Sequence, residues 1–244
     1  MRVNGQEIAE KIYHQVKLIS PAGLAVILVG DDKKSVIYTR QKEKTCQRLG
    51  IYFELKQLST DNNQQSIIKV IRELNKNPKI TAIIVQLPLP EGIDADRAIA
   101  AIDPAKNVEK ESPAAAAVMA ILDALDKNWR QKKICLVGCG RLIGQPLRDK
   151  FRDGKINDCV ICDINTRDIE VYTKKADVII LATGQQKWFS ESMIKRGAIV
   201  IDAGLGEIKD ESEMERKAKI ISPRMNGVGP VTVAMLIKNI LTFP

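Results

Sequence analysis

The sequence predicts an α/β protein of two units, each built on a mainly parallel sheet. Three observations carry this. Short apolar runs without polar alternation, the pattern of strands buried on both faces, recur along the chain. They alternate with longer stretches of helical periodicity. One of them, Ile134-Cys135-Leu136-Val137, runs straight into the glycine-rich turn Gly138-Cys139-Gly140-Arg141-Leu142-Ile143-Gly144, ahead of a polar helical stretch. At 244 residues the chain has room for one large domain or two small ones. Its composition, 28% charged and 45% hydrophobic, is that of an ordinary globular protein.

In chain order, residues 7–19 read as an amphipathic helix. The continuous apolar run 24–29, ending at Gly30-Asp31-Asp32, reads as a strand buried on both faces. Residues 34–49 read as a helix opened by the two aspartates and closed at Gly50. Residues 52–55 are a second strand. Residues 64–76 are a helix with Ile67, Ile68, Ile71 and Leu74 on one face, and 80–85 a third strand ending in Gln86-Leu87-Pro88-Leu89-Pro90. An alanine-rich helix follows over 114–127, with Ser112 as its cap and Pro113 at its first position. Strands at 134–137, 159–162, 178–182 and 198–202 build the second unit, the last ending at Asp202-Ala203-Gly204. A charged stretch then reaches 219. Ile220-Ile221-Ser222-Pro223 leads to Gly227-Val228-Gly229-Pro230-Val231-Thr232 and a final helix through Ile240. There is no internal repeat or low-complexity linker. The simplest division makes 1–113 the first unit, with the C-terminal helix, 230–244, packing back on it, and 114–229 the second.

A strand, a glycine turn and a helix start are how a chain builds an anion site from backbone alone. Glycines let the chain turn tightly and come close to a ligand, and the first helical turn directs unpaired N–H groups at it. The spacing here, G-x-G-x-x-x-G, is one residue longer than the common dinucleotide fingerprint. A plain glycine turn in an α/β sheet is the competing reading. About twenty residues beyond Gly144 the run 159–162 ends in Asp163, where an acidic residue reaches the adenosine ribose hydroxyls in dinucleotide folds. Asp163 could equally cap a turn with Thr166 and Asp168.

Composition excludes several chemistries. The chain has one histidine, His14, in a helical pattern with Ile8, Ile12 and Val16, so histidine-based catalysis and multi-histidine metal sites are ruled out. Cys159 and Cys162 have metal-ligand spacing, but no second pair completes a zinc site, and they read as core thiols with no metal bound. Five cysteines, mostly in apolar runs, fit reduced thiols and a cytoplasmic protein. No run approaches the roughly 18 apolar residues that cross a membrane, and the N-terminus lacks a signal-peptide core. A net charge of +8 is compatible with nucleic acid or with an anionic small substrate. The basic residues are scattered and aromatics are only 4%, too few for a base-stacking platform, so neither a nucleic-acid nor a membrane partner is expected.

Several pieces then line up in order. They are Leu24 to Gly30, Ser35-Val36-Ile37-Tyr38-Thr39-Arg40-Gln41-Lys42, Val85-Gln86-Leu87-Pro88-Leu89-Pro90, Gly138 to Pro146, and Gly227-Val228-Gly229-Pro230-Val231-Thr232. Together they closely resemble the bifunctional methylenetetrahydrofolate dehydrogenase/cyclohydrolases, over nearly the whole chain. The resemblance implies two domains flanking a cleft, an N-terminal α/β substrate domain and a Rossmann-like doubly wound parallel sheet. It implies oxidation of 5,10-methylenetetrahydrofolate with NADP, or less often NAD, and hydrolysis of the methenyl product to 10-formyltetrahydrofolate. It carries Lys42 over as the group assisting proton transfer and water addition. Tyr38 stacks on the folate and orients Lys42, and Gln86 contacts and tunes the lysine amine. Leu87, Pro88, Glu109, Gly229 and Pro230 fall on the substrate side. Gly138, Gly140, Arg141, Leu142, Ile143, Gly144, Asp163, Thr183, Gly184, Gly204 and Val228 fall on the cofactor side. A homodimer is expected by the same resemblance. Physical need agrees in part: Tyr38 and Lys42, four apart, share one helix face, and a neutral amide can accept from the lysine without fixing its charge.

The chain departs from that family at three places. Where the family has D-V-D-G, with its second aspartate on the pterin ring, this chain has Asn107-Val108-Glu109-Lys110. Glu109 can still accept hydrogen bonds, from one methylene further out. The family's longer following loop is shortened, and Glu111 runs directly to Ser112-Pro113. The P-G-G-V-G-P element reads Met225-Asn226-Gly227-Val228-Gly229-Pro230, with Asn226 able to take a left-handed backbone. NADP needs positive charge near its 2′-phosphate. Asp163 pulls toward NAD, and Arg141 could compensate. Competing readings are a paralogue that binds folate without turning it over, or another enzyme for an anionic metabolite on the same scaffold.

Overall fold

The structure is a computed structural model that describes residues 1–16, 21–156 and 158–242. In chain order its main elements begin with α1 (Gly5–Gln15), β1 (Gly23–Val29), α2 (Lys33–Arg48), β2 (Tyr52–Leu58), α3 (Gln64–Lys76) and β3 (Ala82–Val85). Next come α4 (Ala95–Ala100), α5 (Pro113–Leu125), β4 (Ile134–Val137), α6 (Gly144–Asp153), β5 (Cys159–Cys162) and α7 (Ile169–Thr173). The chain closes with β6 (Val178–Leu181), β7 (Ile199–Asp202), α8 (Glu211–Lys217), β8 (Ile220–Ile221) and α9 (Val228–Thr242). Short 3-10 turns lie at Pro104–Lys106, Trp129–Gln131 and Glu191–Met193. The predicted extension of the first helix over 17–19, and positions 243 and 244 of the last, lie outside the described residues.

The chain divides into two compact units: Tyr13–Glu111 with Leu236–Pro244, and Met1–Ile12 with Ser112–Met235. The first is a three-stranded parallel sheet in the order β2-β1-β3. The run Gly-Leu-Ala-Val-Ile-Leu-Val of β1 is buried throughout because β1 is the central strand. The expected apolar face of α3 is its buried face, Ile67, Ile68, Ile71 and Leu74, and it packs on Ala25, Ile27, Ile83 and Val85 of the sheet. Side-chain oxygens cap both helices: Asp32 accepts from the Ser35 amide at the start of α2, and Asn63 from the Ser66 amide at the start of α3. The second strand reaches Leu58, three residues beyond the expected end. It is an edge strand, so Lys56 and Gln57 sit in a ladder without being buried on both faces.

The second unit is a five-stranded parallel sheet in the order β5-β4-β6-β7-β8. From β4 the chain goes through α6 to β5 on one side, and from β5 through α7 it crosses to β6 on the other side of β4. The carboxyl ends of β4 and β6 therefore form the switch point at which open α/β sheets bind ligands. The charged stretch before 219 contains α8, capped by Asp210, which accepts from the amides of Ser212 and Glu213.

By their contacts residues 1–12 group with the second unit. The Val3 amide donates to the Ile221 carbonyl (2.9 Å), the Ile221 amide to that of Met1 (3.0 Å), and the Gly5 amide to that of Asn226 (2.7 Å). Arg2 pairs with Glu211 and Glu215 of α8. The final helix starts at Val228 and is split: its residues through Met235 go with the second unit and only those from Leu236 with the first.

Candidate active site

In the first unit, α2 carries Tyr38 and Lys42 on one face, and the segment after β3 carries Gln86. The Lys42 Nζ donates to Gln86 Oε1 at 2.9 Å, and Gln86 Nε2 donates to the Leu87 carbonyl at 2.8 Å. The second bond orients the amide, so its oxygen faces the amine. The Leu87–Pro88 peptide is cis. Lys42 is only 9% exposed. Burial pushes its amine below the ordinary lysine range, against the opposing pull of Glu109 and Cys46. A lysine in this state gives up its proton more readily than a surface lysine, and its bond to a neutral amide does not fix its charge.

Glu109 lies on the exposed segment between the turn Pro104–Lys106 and α5, and its charge acts on Lys42. The segment is fastened from α9: Asn239 Nδ2 donates to the carbonyls of Val108 (2.9 Å) and Glu111 (3.1 Å). The Val108 side chain is buried. Lys110, at the family's glycine position, has no positive φ, so no left-handed backbone is needed there. Sequence reasoning missed Asn239, because an asparagine in an apolar helix reads as a surface break.

In the second unit the glycine turn joins β4 to α6. Gly138 has φ 102°, and a Cβ on it would lie 2.5 Å from the Ala182 carbonyl carbon. A Cβ on Gly144 would meet the Gly138 carbonyl oxygen at 2.1 Å. These two glycines let strand ends and helix close on one another. Gly140 is different, with nothing within 4 Å of its Cβ position. The turn is held from α5 as well, where Ser112 Oγ donates to the Leu142 carbonyl. Helix α6 has Ile143 at its N-cap with no side-chain cap bond; in its first turn the Gln145 amide donates to the Gly140 carbonyl (3.0 Å) and Pro146 has no N–H, which leaves the Gly144 amide to face an anion. Beside the turn is a cavity of about 350 Å³ whose lining includes Gly138, Gly140, Asp163, Thr183, Gln185 and Trp188. Open space at Gly140, an uncapped helix start and a cavity at the sheet's switch point fit a dinucleotide. The predicted residues Gly138, Gly140, Asp163 and Thr183 line that cavity, whereas Arg141 and Leu142 do not. Gly229 and Pro230 lie in the first turn of α9, preceded by Asn226 at φ 60°.

A further feature lies under the loop after β6. Glu207 is fully buried, and its carboxylate accepts from the Thr183 amide (2.7 Å), the Gly184 amide (2.8 Å), the Thr183 hydroxyl and Trp188 Nε1 (2.8 Å). A Cβ on Gly204 would sit 1.9 Å from Glu207 Oε1, which explains the glycine there. Asp202 holds the Glu207 loop in turn, its Oδ2 accepting from the amides of Gly206 and Glu207 at 2.9 Å each. Burial pushes the Asp202 carboxyl up, and the charge of Glu207 adds to this, while the amides pull it down. Sequence reasoning missed Glu207 because it stands in a charged stretch that reads as solvated surface. The glycines at 204 and 206 were the available signal. Removing it as Glu207→Ala should leave four donors without a partner. The expected loss is on the order of 3 kcal/mol in urea unfolding, accompanied by weaker dinucleotide binding.

The remaining sequence candidates are accounted for. Cys162 Sγ lies 3.7 Å from Cys135 Sγ, and burial pushes both thiols up. His14 is exposed on α1. Among the described residues no helix is long and apolar enough to cross a membrane.

Fold and site together define a two-domain α/β protein with a Rossmann-like NAD(P)-binding domain and a second domain holding a buried lysine–amide pair. Comparison with known proteins makes this specific. Residues 3–109 match the tetrahydrofolate dehydrogenase/cyclohydrolase catalytic domain, and residues 112–243 match the NAD(P)-binding domain of the same family. The chain belongs to the tetrahydrofolate dehydrogenase/cyclohydrolase family. It is 36% identical over 271 residues to bifunctional protein FolD 2 of Desulfitobacterium hafniense, covering 98% of this chain and 95% of the relative. It is 32% identical over 270 residues to bifunctional protein FolD of Nautilia profundicola, covering 97% and 94%. Both aligned spans exceed the 244 residues of this chain, so these relatives carry segments that it lacks. Among solved structures it resembles the Trypanosoma brucei methylenetetrahydrofolate dehydrogenase-cyclohydrolase complexed with NADP and an inhibitor. That match has TM-score 0.89 and 26% identity, covering 100% of this chain and 96% of the other.

Proposed function

We propose that this chain oxidises 5,10-methylenetetrahydrofolate to the methenyl form with a nicotinamide dinucleotide and hydrolyses that product to 10-formyltetrahydrofolate. The observation that carries the hydrolytic half is the buried Lys42 amine bonded to the Gln86 amide oxygen at 2.9 Å. The methenyl carbon is electron-poor, and hydrolysis needs water to add to it and lose a proton. Neutral Lys42 takes that proton and later returns it to solvent; the resulting carbinolamine opens as its O–H proton leaves, the C–N5 bond breaks and N5 takes up a proton, which leaves the formyl group on N10. Gln86 holds the amine in place through an acceptor that stays uncharged. Tyr38, one helical turn before Lys42, offers its ring to the pterin and steadies the amine. Glu109, with Leu87 and Pro88, accepts and flanks the pterin, and Asn239 keeps its segment in place. Gly229 and Pro230, in the first turn of α9, are the remaining substrate-side residues of this reading.

The dinucleotide supplies the hydride acceptor when bound, and hydride transfer asks little more of side chains than positioning and exclusion of water. The backbone of Gly138, Gly140, Arg141, Leu142, Ile143 and Gly144 and the start of α6 receive the pyrophosphate. Thr183 and Gly184, braced by Glu207, receive the nicotinamide side together with Gly204 and Val228. The same reading places the protein in the cytoplasm as a homodimer, without a metal.

The pH dependence of methenyl hydrolysis tests the lysine. Activity should rise with pH as Lys42 loses its proton, along a limb below the ordinary lysine range. Gln86→Glu places a carboxylate against the amine and favours its protonated form, so the limb should move to higher pH by about 1–3 units. An unmoved limb in that variant would remove Lys42 as the titrating group.

A further inference from the structure

The cavity beside the glycine turn is uneven in charge. Asp163 is the one carboxylate among its lining residues, and no lysine or arginine lines it. Asp163 directly follows β5, at the end of the second strand of the dinucleotide unit. Its Oδ1 accepts from the Asn165 amide at 2.9 Å and the Thr166 hydroxyl at 3.1 Å, while its own amide donates to that hydroxyl at 2.9 Å. These bonds fix the carboxylate and leave Oδ2 without a hydrogen-bond partner among the described residues. Turn capping and ligand binding, which compete as readings of the sequence, are thus divided between the two oxygens.

We infer that this chain selects NAD over NADP and that Asp163 is the selecting residue. The inference rests on the proposal that the cavity takes a nicotinamide dinucleotide. A ribose 2′-hydroxyl is a donor that Oδ2 can accept. A 2′-phosphate brings negative charge and only acceptors to the same carboxylate. The cation on the same loop, Arg167, is exposed and does not line the cavity, and no neighbouring lining position is cationic. Ile164 is 96% exposed and apolar, and Cys139, the residue after the first glycine, lines the cavity with a thiol instead of a cation. Arg141, a candidate to neutralise the phosphate, is not part of the lining.

Calorimetric titration of the full chain with NAD, NADP, 5′-ADP and 2′,5′-ADP tests this without turnover. NAD should bind at least about tenfold more tightly than NADP at low salt, with the same order between the two ADP fragments. The gap should narrow as salt is raised. In Asp163→Ser the serine oxygen can still accept from the Asn165 amide, so the turn and the melting temperature should hold while the NAD/NADP ratio falls toward one. NADP binding as tightly as NAD to the unaltered protein, or an unchanged ratio in Asp163→Ser, would overturn the inference. Binding of none of the four would overturn the dinucleotide reading and this inference with it.

Discussion

Lys42→Met should lose methenyltetrahydrofolate hydrolysis by about 10²–10⁴-fold, the contribution of a positioned proton-transfer group, while keeping most of its methylene oxidation. Methionine approximates the length of lysine, and the site is already buried, so the fold should tolerate it. In the proposed mechanism, what disappears is the group that accepts a proton from water. Gln86 stays oriented by its second bond to the Leu87 carbonyl, so the pocket keeps its shape. In the same proposal oxidation does not use the amine for proton transfer, so it should fall only as far as folate binding leans on the lysine. The check is steady-state hydrolysis and oxidation measured on one preparation. Equal loss of both would show that Lys42 binds the folate and does not carry the proton.

The glycine turn supports a second contrast of comparable size. Gly138→Ala forces a side chain into a left-handed backbone and against the backbone of Ala182 and Thr183. Strain and overpacking together should cost about 2–5 kcal/mol in unfolding free energy. Gly140→Ala meets nothing within 4 Å, so the unliganded protein should unfold as before. If the open space at Gly140 is where phosphate approaches backbone, the added methyl should weaken NAD by about 100-fold, a cost of roughly 2.7 kcal/mol. Urea unfolding paired with calorimetric titration separates the two effects. Gly140→Ala binding with unaltered affinity would remove the turn as a phosphate cradle.

Much of the fold was legible because buried parallel strands announce themselves. The runs 24–29, 134–137 and 178–182 are apolar on both faces, and each became a strand within a residue or so of its expected ends. The ends of β2 were less legible, since an edge strand is solvated on one side and its Lys56-Gln57 pair looks like loop. Nothing local in the N-terminal twelve residues reports their contacts with α8 and β8. Their bonds to Ile221 and Asn226 span more than 200 positions.

The site divides the same way. The glycine turn and Asp163 could be read from spacing, since strand, turn and helix are contiguous there. The pairing of Lys42 with Gln86 crosses 44 positions and was accessible only through the family resemblance, which supplied the pattern but not the burial that lowers the amine. Asn239 carried no signal in the sequence, and Glu207 only the indirect one of its neighbouring glycines, for a physical reason. A polar side chain becomes informative when it is buried, and neither local composition nor periodicity reports burial for a single polar residue.

The central claim is that one chain carries both reactions. It is tested most directly by giving the purified protein 5,10-methylenetetrahydrofolate with NAD and, in parallel, NADP, and following methenyl- and 10-formyltetrahydrofolate together. The expected result is methenyl formation that depends on the dinucleotide, followed by its hydrolysis faster than in buffer. Absence of methenyl formation with either dinucleotide, from protein that is folded by its melting curve, would contradict it.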